Sequence, residues 1–265
     1  MNTLPRRQIL VPRLPPDAAV KIIGLGGVGQ IVARFGALFL ASLGGDVRLV
    51  LIDGDAFEPS NASRMIFGAA GNKAVVTRDE LLPRFAESGL SLVAIEEFLA
   101  PDNIGRLLQE RDLVLLSVDN HATRKLVNDH AAGLADVCVI SGGNDGVGPD
   151  RSGSVRRGTY GNVQIFLRQE GHDLSFPLTH YHPEIARPAD HLPTDQSCTE
   201  LIASVPQILF ANLAVASAML NALWLHLSGG LHYGEIGFDI ADGLMRPVTS
   251  LTAPMEGERD PVGAA

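Results

Sequence analysis

Glycines at Gly24, Gly26 and Gly29 follow the β-branched run 20–23, the spacing of the strand-turn-helix in a nucleotide-binding βαβ unit. Such glycines let the backbone approach a phosphate, and the helix that follows turns its positive end toward the same charge. The next strand closes on Asp53, where a carboxylate can accept from ribose hydroxyls. Beyond it, Asn61-Ala62-Ser63-Arg64 sets an amide and a guanidinium within four residues of each other, past the strand end where phosphates would lie. A dehydrogenase has no general need of that pair. Asp119-Asn120 follows the apolar strand 112–118. Ligands of open α/β sheets bind at carboxyl strand ends, so Asp119 is placed either to hold Mg²⁺ at a nucleotide or to serve as a plain helix N-cap. Ser197-Cys198-Thr199-Glu200 has the capping-box pattern before an apolar run, which makes Cys198 the first residue of a helix. There the helix dipole and amide donors lower a thiol's pKa; the alternative is an inert, buried cysteine. His180-Tyr181-His182 offers half a metal site and no second pair fixed by spacing.

The elements that must hold these groups follow from periodicity. A strand at 19–23 leads into a helix over 28–43, with Val28, Ile31, Val32, Phe35, Leu38 and Phe39 at helical spacing and Gly44-Gly45 as its C-cap. Further strands are expected at 47–53, 90–95, 112–118 and 137–141; the unbroken apolar run of 113–116 suits a parallel sheet covered on both faces. Helices are expected around 79–87, 101–109 and 121–132. Residues 144–157 are glycine-rich, polar and read as mobile, while Val163, Ile165 and Leu167 alternate in a strand over 159–168 that lies antiparallel to the sheet and can help bind a protein tail. Residues 169–196, with four histidines and four prolines, read as a long loop. A helix then runs from Cys198 to about 227, with Ile208, Ala211, Val215, Ala218 and Ala222 on one face that suits close packing, a subunit interface included. Segments 234–240 and 244–249 flank the Asp242-Gly243 turn of a β-hairpin. The expected fold is α/β: a doubly wound, Rossmann-like, mostly parallel sheet with C-terminal antiparallel strands. An arm at 1–18 precedes a single domain at 19–252, with a crossover loop about 142–197 and a disordered tail at 253–265.

Composition bounds the function. With 265 residues, 46% of them apolar, the chain can build one full core. A net charge of −9 without a basic block argues against a nucleic-acid surface. Cys138 and Cys198 are far apart and give neither a disulfide framework nor a four-cysteine zinc site; Cys138, within an apolar strand, reads as a small core residue. No stretch approaches the ~20 apolar residues of a membrane span, and a cytoplasmic protein is expected. Lysine is scarce: Lys21, Lys73 and Lys125 are the three in the chain.

Taken together, Gly24-x-Gly26-Gly27-Val28-Gly29, Asp53-x-Asp55, Asn61-x-x-Arg64, Lys73 and Asp119-Asn120 with Arg124 resemble the adenylation domain of ubiquitin-activating enzymes and of the bacterial adenylyltransferases that charge sulfur-carrier proteins for molybdopterin and thiamine synthesis. The resemblance spans about residues 20–220. It implies ATP and Mg²⁺ as cofactors, Asp53 on the ribose, Asn61 and Arg64 on phosphates, Lys73 against charge developing at the α-phosphate, Asp119 on Mg²⁺, and Asp55 and Asn120 within the nucleotide site. It also implies a homodimer, a ubiquitin-like or sulfur-carrier protein as substrate, and a thioester on Cys198 with a conjugating-enzyme-like protein as a further partner. Paired Cys-x-x-Cys zinc motifs, common in the sulfur-carrier branch, are missing from the sequence, as is room for the separate cysteine and ubiquitin-fold domains of full-size activating enzymes. Rival readings are a cyclic-threonylcarbamoyladenosine tRNA dehydratase-like enzyme and a nucleotide-binding scaffold without chemistry.

Overall fold

The structure, a computed structural model, describes residues 10–58, 61, 65–149, 153–195 and 207–249. β1 (Ala19–Ile23), α1 (Gly27–Ser42) and β2 (Val47–Ile52) form the first βαβ unit. β3 (Ala56–Phe57) pairs with β4 (Gly71–Asn72) ahead of α2 (Lys73–Phe85). β5 (Leu90–Ile95), α3 (Ile104–Leu107), β6 (Leu113–Leu116), α4 (His121–Ala131) and β7 (Val137–Asn144) complete the parallel half. A small ribbon of β8 (Val147–Pro149) and β9 (Val155–Arg157) follows, then β10 (Tyr160–Gln169), β11 (His172–Asp173), α5 (Pro183–Ala186), α6 (Leu209–Leu227), β12 (Tyr233–Asp239) and β13 (Leu244–Thr249).

Among the described residues the main sheet has nine strands in the order β13-β12-β10-β7-β6-β1-β2-β5, with β11 beside β10. β7, β6, β1, β2 and β5 are parallel. This is the doubly wound arrangement, and its order reverses between β1 and β6, where such folds bind ligands. β10, β12 and β13 extend it antiparallel. Every residue of β1 and β6 is buried, because both sheet faces are covered. On one face Val20 and Ile22 pack with Val32 and Leu40 of α1 and Val215 and Met219 of α6. On the other, Ile23 and Leu116 pack with Val127 of α4, Phe166 of β10, the loop residue Leu178 and Ile185 of α5.

The expected strands and the Asp242-Gly243 hairpin form, but several boundaries move. α2 begins at Lys73, six positions before the expected 79, because the Asn72 side chain accepts from Ala74 and Val75 N–H and caps it there. α3 keeps only Ile104–Leu107 of the expected 101–109. A helix unbroken from 198 to 227 does not form: Gln207 and Ile208 are non-helical and α6 starts at Leu209, consistent with Pro206, which supplies no N–H to a helix interior. Its Val215, Ala218 and Ala222 are buried within this chain's own core and Ala211 is buried as well, while Leu209, Phe210 and Trp224 are exposed. α6 is also long and apolar enough to cross a membrane by length and composition, contrary to the expectation from sequence; that face against α1 and β7 is what a soluble core helix shows as well. Residues 144–157, expected to be mobile, include the β8–β9 ribbon. β10 is hydrogen-bonded along both edges, to β7 and to β12, so it cannot take a protein tail by strand addition. Cys138 is a core residue whose thiol burial pushes up to about 12.

One buried ion pair ties β1 to the start of β6. Lys21 Nζ lies 2.6 Å from Asp112 Oδ2 and donates to Leu107 O at 2.8 Å, and Asp112 Oδ2 also accepts from Gln109 N–H at 2.6 Å. Removing one partner of such a pair strands a buried charge. Asp112→Ala is therefore expected to cost about 3–5 kcal/mol in urea unfolding, whereas Lys21→Met with Asp112→Leu should cost far less.

Candidate functional site

The site is built at the switch point from three loops that side chains tie together. Gly24 turns the chain out of β1 at φ +85°, a left-handed conformation open to glycine, with its N–H on Ile52 O at 3.0 Å. Its carbonyl accepts from Ser117 Oγ, just past β6, at 2.7 Å. Gly29 comes back so close that a Cβ there would run into the Gly24 carbonyl oxygen. Gly26 stands at the N-cap of α1 with no side-chain cap, and no acidic residue sits in the first turn. The leading N–H groups of this helix are thus left for an anion. By contrast α2 and α4 are capped by Asn72 and Asn120.

Asp53 joins the first loop to the second. Its Oδ2 accepts from Leu25 N–H at 2.5 Å and its Oδ1 from Asp55 N–H at 2.8 Å. Burial pushes its carboxyl up, opposed by those amide bonds and by Lys73. Asn72 Nδ2 donates to Asp53 O at 2.8 Å and Asp55 O at 3.1 Å, which sets the first residue of α2, Lys73, beside them. Lys73 is buried and ion-paired with the exposed Asp55 carboxylate. Asn61, also buried, accepts from Glu58 N–H through Oδ1 at 3.1 Å, and its carbonyl takes Met65 N–H at 3.0 Å. The stretch beyond it is gripped by α1 and α2: Gln30 Oε1 accepts from Ile66 N–H at 3.2 Å, and Arg34 donates to Ile66 O at 2.7 Å and to Glu80 at 2.5 Å.

The third loop carries Asp119-Asn120. Asn120 is the N-cap of α4, its Oδ1 accepting from Thr123 N–H at 2.7 Å; this removes the capping alternative for Asp119, which is exposed. Asp190, from the long connection after β10, caps the same helix with both oxygens, on His121 and Ala122 N–H at 2.8 Å each. Arg124 is buried, burial lowering its pKa, and donates to Val118 O at 2.9 Å and Gly142 O at 3.2 Å. Gly24, Gly26, Gly27, Gly29, Asp53, Asp55, Asn61, Lys73, Asp119 and Asn120 thus converge on one end of the sheet. Arg64 and Cys198 lie outside the described residues. Sequence reasoning missed Asn72, Gln30 and Asp190; an asparagine directly before a helix is a readable cap signal for the first, whereas nothing local marks the other two.

The histidines of the long connection part ways. His180 stacks on Phe176 with ring centroids 3.8 Å apart. His182 Nε2 faces Glu235 Oε1 of β12 at 2.6 Å and its Nδ1 faces Glu184 Oε1 at 3.0 Å, while Asn162 Nδ2 donates to the same Glu235 oxygen at 3.0 Å. Among the described residues no cluster of three acidic, His or Cys side chains could hold a metal ion. Glu97, Phe98, Ala100, Asn103 and Thr194 line a cavity of about 500 Å³ past β5, and the Phe98 ring lies where a Cβ on Gly54 would be, next to Asp53.

The sequence matches the ThiF family over residues 16–230. The chain belongs to the ThiF family. It is 34% identical over 142 residues to the adenylyltransferase and sulfurtransferase uba4 of Aspergillus niger, covering 50% of this chain and 28% of that protein. It is 36% identical over 137 residues to the probable adenylyltransferase/sulfurtransferase MoeZ of Mycobacterium tuberculosis, covering 47% of this chain and 33% of that one. The chain therefore spans a third or less of the relatives' length. In fold, Escherichia coli MccB with ATP superposes at a TM-score of 0.61 and 18% identity over 90% of this ThiF-family chain and 65% of its own; PaaA superposes at 0.59 and 18% over 88% and 73%.

Two outcomes test this geometry. Gly29→Ala is expected to abolish ATP binding in calorimetry, since its Cβ and the Gly24 carbonyl cannot share the turn. His182 has a carboxylate facing each ring nitrogen and donates to both only when the ring carries its second proton. Burial opposes its charge, but the bonds to Glu235 and Glu184 outweigh it and raise its pKa above 6.5. The stabilisation is complete below pH 6.5 and is lost as pH rises through the raised value. Hydrogen exchange of residues 174–187, corrected for intrinsic rate, should accelerate across that rise, and His182→Gln should remove the pH dependence.

Proposed function

We propose that this chain uses ATP to adenylate the C-terminal carboxylate of a ubiquitin-like protein. The observation that carries the reading is the joined network of the Gly24–Gly29 turn, Asp53 and Lys73 around an α1 N-terminus without a side-chain cap, with Asp119 exposed past the end of the neighbouring strand β6. A carboxylate oxygen of the substrate attacks the α-phosphorus, the bond from that phosphorus to the bridging oxygen breaks, and pyrophosphate leaves with the electron pair. Asp53 holds the ribose; Asn61, Arg64 and the glycine-turn amides hold phosphates; Lys73, released from Asp55, neutralises charge growing at the α-phosphate. Asp119 suits Mg²⁺, which takes one or two carboxylates plus substrate phosphates, and when bound the ion neutralises phosphate charge. The cavity beside Phe98 gives the base room.

The second step assigned to this site is thioester formation: the Cys198 thiolate attacks the acyl carbon and AMP leaves, so that a conjugating-enzyme-like protein can receive the acyl group. A homodimer goes with the family reading. A second reading, release of the acyl adenylate to a sulfur donor with no thioester, is favoured by the names of the relatives, which pair adenylyltransferase with sulfurtransferase.

Incubating the purified chain with ubiquitin-like and sulfur-carrier proteins, ATP and Mg²⁺, then following ATP–pyrophosphate exchange and non-reducing gels, separates these. Arg64→Ala should lower exchange about 10²-fold. A thiol-sensitive adduct lost in Cys198→Ala supports the thioester. Exchange that survives Cys198→Ala without any adduct supports the second reading, and no exchange with any carrier overturns both.

A further inference from the structure

Behind the glycine turn lies a polar pair that none of these steps uses. Asn144 ends β7 and Asn212 stands in the first turn of α6; Asn144 Nδ2 donates to Asn212 Oδ1 at 2.5 Å. Asn212 is fully buried, and both its Nδ2 and Asn144 Oδ1 are buried atoms with no partner in the chain. Exchanging oxygen and nitrogen in both carboxamides leaves the same balance, one orphan donor and one orphan acceptor. The pair abuts the nucleotide loop, since a Cβ on Gly27 would collide with Asn212 Nδ2. Other orphans gather nearby: Arg124 Nε and Asp145 Oδ1 are also buried and unmet, and Arg124 reaches Gly142 O at 3.2 Å near the end of the same strand. Buried polar atoms are seldom left unmet in native proteins, so a concentration of them at one strand end marks a place for an ordered water or a polar ligand group.

We propose that Asn144 and Asn212 read the last peptide bond of the carrier's tail, Asn212 Nδ2 donating to its C=O and Asn144 Oδ1 accepting from its N–H. The assignment rests on the adenylation reading above. A secondary amide offers one acceptor and one donor, the complement of what the pair lacks; a phosphate offers no donor when ionised and would leave Asn144 Oδ1 unmet. The last peptide bond is one residue, about 3.8 Å between Cα atoms, from the carboxylate that attacks the α-phosphate, and Asn212 lies against Gly27, the first residue of α1. Strand addition is closed to the tail at β10, whose two edges are taken by β7 and β12. Among the described residues, side chains at the strand ends are available to recognise it there.

The test is ATP–pyrophosphate exchange with a semisynthetic ubiquitin-like carrier whose last linkage is either the native amide or an ester, which lacks the N–H. Wild type should use the ester about tenfold less efficiently in kcat/KM, the effect of losing one well-placed bond and weakening another. Asn144→Leu with Asn212→Leu should use amide and ester equally, and its thermal midpoint should not fall, because removing both members leaves no orphan. Should that double variant not fold, Asn144→Ala serves, with discrimination expected to shrink to the part that comes from the weaker ester carbonyl at Asn212. Equal use of the two carriers by wild type, or discrimination that is undiminished in either variant, overturns the assignment and leaves adenylation standing. No exchange with the amide carrier overturns the adenylation reading and this assignment with it.

Discussion

The Asp53 carboxylate is the constraint from which the site is hung. A carboxylate this buried is costly unless its oxygens are met, and here each is met by a backbone amide of a different loop, Leu25 and Asp55. The same two bonds that relieve the buried charge therefore lock the turn after β1 to the turn after β2. Everything downstream inherits that registration. Leu25 fixes the exit of the glycine turn, and Asp55 fixes the acidic partner of Lys73. Asn72 then ties the carbonyls of both aspartates to the start of α2, so that a lysine 20 residues beyond Asp53 arrives at the same place.

Much of this was legible in the sequence, for identifiable reasons. The glycine spacing, the apolar run of β6 and the acidic ends of β2 and β6 are local patterns, and the parallel sheet follows from them. The hairpin at Asp242-Gly243 was readable because the turn needs a residue comfortable in the left-handed region, which Gly243 occupies at φ +63°. What could not be read was contact between distant side chains and backbone. Asp190 reaches the start of α4 across 68 and 69 residues, and Glu235 reaches His182 across 53; neither has a periodicity or a neighbour that announces it. The early start of α2 was missed for a different reason: its first two turns, 73–79, mix Lys73, Thr77 and Arg78 with valines, so the apolar stripe is weak and the cap at Asn72 decides the boundary.

The antiparallel extension changes what the parallel half can do. In a sheet ending at β7, the far edge of that strand would be open to an extended peptide. β10 closes it over its whole length, and β12 and β13 then carry the open edge far from the nucleotide turn. Among the described residues, a ligand at the glycine turn therefore requires strand ends and the connection that crosses them to come close. Gly142 and Gly143 meet that requirement: a Cβ on Gly142 would strike Met219 and Val215 of α6, and one on Gly143 would strike Arg124. Helix and guanidinium close in on the end of β7 only because side chains are absent there.

The connection over those strand ends is held by two kinds of contact, and they respond differently to their surroundings. At its middle, Leu178 and Ile185 are sunk in the core, and Leu178 N–H donates to Asn128 Oδ1 at 2.9 Å. Near α4, Asp190 binds backbone amides that keep their protons at any physiological pH. Over β12, however, the tie is His182 between two carboxylates, and its strength depends on the ring's second proton. A rise in pH therefore weakens one tie and leaves the others, so the segment nearest Glu235 and Asn162 loosens while the start of α4 stays capped. Those two residues flank the antiparallel strands rather than the phosphate turn. A loss of the tie would loosen the contacts over β10 and β12 and leave the Asp190 cap beside Asp119 in place.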